Sequence, residues 1–87
     1  MGRSENRARY RKYFASQLKQ VMHNRYLSIE RLSQATGISK QSLCNYLAAK
    51  TLPSVYELGK MCIVLEVYPE VLMFGTGDGA KIIKEGE

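Results

Sequence analysis

From Tyr10 onward the apolar residues recur at helical spacing. Tyr10, Phe14, Leu18, Val21 and Met22 fall three and four apart, which places them on one face of a first helix. Asn24-Arg25-Tyr26 breaks the pattern. Ser28 then suits the N-cap of a second helix, with Leu27 before it and Leu32 after it at the spacing of a hydrophobic staple. That helix is predicted to run to about Thr36, with Gly37 in the position after the last turn, where a left-handed backbone costs glycine little. Ile38 alone separates the glycine from Ser39, the N-cap of a third helix predicted over Ser39–Ala49. Its inward stripe is Leu43, Tyr46 and Leu47, and its outward residues are Lys40, Gln41, Cys44 and Asn45. Pro53 forbids simple continuation past Ala49 or Lys50. Ser54 and Glu57 have the spacing of a capping box opening a fourth helix, whose apolar face is Val55, Leu58, Met61, Cys62 and Leu65. Pro69 is tolerated at the first position of a short fifth helix, with Val71, Leu72 and Phe74 closing the core. No stretch alternates as a strand does, so the pattern predicts an all-α fold of five helices.

The ends of the chain differ from its middle. Residues 1–8 are polar and without period, and read as a flexible basic arm ahead of a domain spanning 9–74. Residues 75–87 read as a glycine-rich exit followed by a charged tail around Ile82-Ile83. The Gly75–Gly79 stretch lacks the GK[ST] ending of a phosphate loop, and no strand precedes it. A chain of 87 residues holds one such domain, and its 45% apolar content suits a globular one.

Charge adds a direction. The net charge is +5, but residues 1–50 carry ten Lys and Arg against Glu5 and Glu30, a balance of +8. Residues 51–87 carry Lys60, Lys81 and Lys84 against six acids, a balance of −3. The positive half is the half expected to meet a polyanion. Cys44 and Cys62 form no CxxC pair, and the lone His23 offers no partner for a zinc site, so no metal or cofactor is expected. Both cysteines read as packed or half-packed thiols in a reducing compartment. No apolar run approaches the ~20 residues of a membrane span, and the basic N-terminus lacks the apolar segment of a secretory signal. The cytoplasm is the expected location.

The informative segment is Ile29 to Leu47. Ser33 is small, Gly37 follows four residues later, and Leu32, Ile38, Leu43 and Tyr46 are apolar. A tight crossing of two helices needs a small residue at the contact, a glycine at the corner and apolar residues to lock the angle. The second helix of such a pair stands proud, where it can enter a groove ~12 Å wide. Leu18 to Phe74 resembles, collinearly and without a gap, the five-helix DNA-binding domain of phage repressors and Cro proteins, the XRE or Cro/C1-type family, and the stretches that carry the resemblance are LKQVMHNRYLS, IERLSQATGISKQSLCNYL and LPSVYELGKMCIVLEVYPEVL.

The resemblance implies roles for matching positions. The family reads base edges from the start and one outward turn of the third helix, here Ser39, Lys40, Gln41, Ser42 and Asn45. Lys can donate to guanine, and Gln or Asn can pair bidentately with adenine. The family's phosphate contacts come from the start of the second helix, here Ser28, and from the loop after the third, here Lys50 and Thr51. Arg3, Arg7, Arg9, Arg11 and Lys12 of the arm could follow the backbone or enter the minor groove. The alternative for all of these residues is an ordinary solvated surface.

Three departures from the family pattern stand out, one of them Leu47-Ala48-Ala49 in place of the usual polar ending of the third helix. Ile29 replaces a Gln that bonds phosphate in many relatives. Met22 and Leu47 stand where relatives carry an Arg–Glu pair, and both have become apolar, so Met22 is expected to pack on Leu47. Two functions follow from this. One is sequence-specific binding of double-stranded DNA as a homodimeric transcriptional regulator, a repressor in the family's manner, with Val67, Tyr68, Val71, Met73 and Phe74 as candidate dimer contacts. The other is a protein–protein interaction module, antitoxin-like or a phage adaptor, that keeps the fold with weak or no DNA binding. An enzyme is not expected, because His23 is alone and no carboxylate cluster or nucleophile–base pair is present. No separate domain for a small-molecule ligand is expected either.

Overall fold

The computed structural model describes residues 3–74, with side chains from Asn6 onward. It holds five helices and, among the described residues, no strand: α1 (Arg3–Asn24), α2 (Ile29–Thr36), α3 (Lys40–Leu47), α4 (Val55–Leu65) and α5 (Pro69–Phe74). α1 packs on α3 and α5, α2 packs on α3 and α4, and α4 meets α5. One apolar core results, in which Leu18, Leu32, Leu43, Met61, Leu65 and Leu72 are fully buried. Each comes from the stripe its helix was expected to turn inward. Met22 is also buried, and Leu47 packs half-buried against the same cluster.

The caps form as the sequence requires. Ser28, Ser39 and Ser54 each sit in extended backbone and accept a bond from the amide three residues on. Glu57 completes the capping box by accepting from the Ser54 amide. Gly37 ends α2 at φ +80°.

Several expectations are corrected. α1 begins at Arg3, so residues 3–8 form its first turns and not a separate arm. Helical register carries no apolar requirement at a free helix end, which is why the stripe gave no sign of them. α3 ends at Leu47, two residues earlier than expected, because Ala49 takes φ +63° and turns the chain out of the helix. Val55 is 87% exposed, since the first turn of α4 overhangs the core. Phe74 is 58% exposed and leaves the closing of the core to Leu72. Cys44 is exposed, while Cys62 is buried, and burial pushes its thiol pKa up. The glycine-rich exit, Ile82-Ile83 and the charged tail lie outside the described residues.

Two sets of polar contacts brace the bundle. Tyr10 and Tyr13 donate their hydroxyls to the carbonyls of Met73 and Phe74, and Gln17 donates to that of Val71. The last turn of α5 cannot satisfy these carbonyls itself, so the outer half of α1 does so. On the opposite side of the bundle, Arg25 donates to the Glu66 carbonyl at 3.0 Å and ties the α1–α2 loop to the end of α4.

Candidate nucleic-acid interface

The corner between α2 and α3 is built by three short side chains. Thr36, a buried polar residue, donates to the Leu32 carbonyl at 2.7 Å and accepts from the Ile38 amide at 3.1 Å. Ser33 donates to the Ile38 carbonyl, while the Gly37 amide returns to the Ser33 carbonyl at 2.8 Å. The two hydroxyls and the Gly37 and Ile38 amides of the turn are thereby paired, as buried polar groups require. Ser33 was expected to matter for its size; its hydroxyl and that of Thr36 also carry the turn. The sequence signal for Thr36 was a small hydroxyl residue just before the glycine, where it can bond its own backbone.

This corner sets α3 against the body with its first turn outward. Lys40, Gln41 and Cys44 are exposed, and Ser42 and Asn45 are half-buried at the edges of the same face. The Ser39 hydroxyl accepts from the Ser42 amide at 3.1 Å and bonds the Ser42 hydroxyl at 3.0 Å. Both serines are therefore committed to the helix start. Gln41 donates to the side-chain carbonyl of Asn45 at 3.2 Å, so the two amides are aligned one turn apart. Lys40 lies 3.8 Å from the Glu30 carboxylate of α2, and both side chains are largely exposed. A pair of this kind holds its partners only weakly, leaving the ammonium free to turn outward.

The expected backbone-contacting residues fall on both flanks of α3. Ser28 is exposed at the start of α2, and its hydroxyl accepts from the Arg31 amide at 3.1 Å. Ile29 is half-buried against the core, which is why this position can be apolar here. On the far flank Lys50 and Thr51 are exposed just beyond α3. The Lys50 amide bonds back to the Asn45 carbonyl at 2.9 Å.

Arg7, Arg9 and Lys12 are exposed along α1, and the side chain of Arg3 lies outside the described ones. Arg11 differs from them. Its Nε donates to the Ala49 carbonyl at 3.1 Å, so it pins the loop after α3 to α1. Sequence reasoning missed this bond, since nothing local links positions 11 and 49. It missed a second brace as well: the Tyr46 hydroxyl donates to the Glu57 carboxylate and locks α3 to α4. Burial, followed by that bond and the nearby negative charge, pushes the Tyr46 pKa up to about 12. No group of three or more His, Cys, Asp or Glu placed to hold a metal occurs among the described residues.

A short helix, a glycine corner and a second helix presented polar face outward define a DNA-binding helix-turn-helix domain. Residues 18–72 match the helix-turn-helix family model of Cro/C1 type, and the chain belongs to that family, also called XRE, a family of DNA-binding regulatory domains. Nothing among curated proteins or solved structures matches the chain. Among the described residues no helix is long and apolar enough to cross a membrane.

Proposed function

We propose that this protein is a sequence-specific transcriptional regulator, a repressor, that lays α3 in the major groove of double-stranded DNA and acts as a homodimer in the cytoplasm. The observation that carries the reading is the polar face at the start of α3, with Lys40 and Gln41 exposed and Asn45 half-buried beside them, held by a hydrogen-bonded corner. Lys40 and Gln41 are the principal base readers, with Asn45 oriented through Gln41. Ser39 and Ser42 serve first to cap the helix, and in this reading they stand beside the base readers at its start. Ser28, Lys50 and Thr51 grip phosphates on either side.

A homodimer doubles a site of only a few base pairs. The α4–α5 side supports it. Tyr68 and Phe74 are exposed there, with Val67, Val71 and Met73 half-buried beside them. A groove of about 540 Å³, lined by Gly59, Ile63, Val67 and Tyr68 among others, opens on the same side. That exposed apolar surface, with Ile29 in place of a phosphate-bonding residue, also favours the second reading, a protein–protein interaction module. The test is selection from random duplexes followed by sequencing of the bound pool. A two-fold symmetric motif that is lost with Gln41→Ala is the expected result. No binding even at low salt overturns it in favour of the interaction module.

A further inference from the structure

The family match begins at residue 18, yet α1 begins at Arg3. Four helical turns therefore precede the part of the chain that the family accounts for. Their apolar and hydroxyl side chains are explained by the packing of Phe14 and by the bonds from Tyr10 and Tyr13 to α5. Their cations are not, and three arginines among them, Arg7, Arg9 and Arg11, can be assigned to faces.

Arg11 points to the end of α3, as its bond to the Ala49 carbonyl fixes. Arg7 lies four residues earlier, one turn along the same face, and is exposed. Lys50 follows Ala49 directly and is exposed. Lys50, Arg11 and Arg7 therefore form a row that starts at the end of α3 and continues out along α1. Arg9 is turned away from this row. It lines a separate groove with Asn6, Tyr10 and Tyr13.

We infer that this row is a rigid phosphate-binding ridge, which extends the DNA contact beyond the helix-turn-helix along one strand. The inference rests on the DNA-binding reading above. Arg11 has two tasks in it. Its Nε holds the Lys50–Thr51 loop in place, and its remaining N–H donors face the strand. Arg7 adds a contact one turn, about 5.4 Å, farther out. Because α1 is already a helix, this contact needs no ordering of a free arm, and little conformational entropy is lost when it forms.

The test compares the full chain with Arg7→Gln and Arg9→Gln on the duplex selected above. Affinity is titrated over a range of salt, and phosphate contacts are mapped by ethylation interference. Arg7 is exposed and unbonded to the core, so neither variant should alter the fold, and circular dichroism checks this. Arg7→Gln should lower the slope of log affinity against log salt by about one. It should weaken all sequences alike and remove interference at one outer phosphate in each half-site. Arg9→Gln should leave slope and footprint near those of the unaltered chain. An unchanged slope with Arg7→Gln, on a chain that still binds its motif, overturns the ridge alone. Equal losses from both variants also overturn it, because the attraction would then belong to the charge of α1 at large and not to one face. No DNA binding by the unaltered chain overturns the ridge and the DNA-binding reading together.

Discussion

Tyr46 of α3 donates its hydroxyl to the carboxylate of Glu57 in α4, and Glu57 also accepts from the Ser54 amide that opens α4. One carboxylate thus joins α3 to the cap of α4. Tyr46→Phe removes the bond while keeping the ring in the core. It should cost about 1.5–3 kcal/mol, the usual worth of a hydrogen bond to a charged group. Chemical denaturation checks this.

The same contact makes stability fall in alkali. The folded pKa of Tyr46 is raised to about 12 from an ordinary 10. The unfolded chain therefore releases this proton first. The contribution is complete below pH 10 and is lost as pH rises from 10 towards 12. Denaturant melts at stepped alkaline pH should show the decline, and Tyr46→Phe should flatten it.

Gly37 takes φ +80°, yet a Cβ there would meet nothing nearer than the Lys60 ammonium at 3.9 Å. The obstacle to a side chain is therefore backbone strain and not crowding. Gly37→Ala should destabilise the domain by roughly 1–2 kcal/mol. Gly37→Asn should cost less, because Asn tolerates the left-handed region. Thermal melts of the two variants separate strain from sterics.

Tyr26 presents the converse case. It is 93% exposed and held at φ +56°, a conformation unusual for a bulky residue. Tyr26→Gly relieves about 1–2 kcal/mol of strain and gives back about 0.5–1 kcal/mol in unfolded-state entropy. The melting temperature should rise slightly. A clear fall would show that the phenol contributes to the fold.

Lys40→Ala should separate stability from function. Its partner Glu30 is exposed and 3.8 Å away, so the fold should change by less than about 1 kcal/mol. Affinity for the selected duplex should fall, and preference at one base position should relax. Melting curves and a binding titration on the same samples make the comparison.

Much of this architecture was legible along the chain. Apolar residues at helical spacing placed the helices and chose their inward faces, because burial of one stripe is what stabilises a short helix. Ser28, Ser39 and Ser54 marked the starts, since a hydroxyl at that position satisfies a backbone amide that the helix leaves unpaired. Gly37 marked the corner because its left-handed backbone is cheap only for glycine. These are local requirements, met by neighbours in sequence, and together they placed the polar face of α3 on the outside.

What only the tertiary structure decided lies between residues far apart in the chain. That Arg11 pins Ala49, that Tyr46 meets Glu57, and that Tyr10, Tyr13 and Gln17 satisfy the end of α5 all depend on which helices pack together and at what offset. The length of α1 was hidden for a related reason. Residues 3–8 carry no apolar stripe in the sequence, so periodicity, which records burial, could not report them. The face on which each arginine of α1 falls acquires meaning only once the end of α3 lies beside it. Local chemistry fixes where a helix starts and which side it buries, whereas the partners of its long polar side chains are fixed by packing.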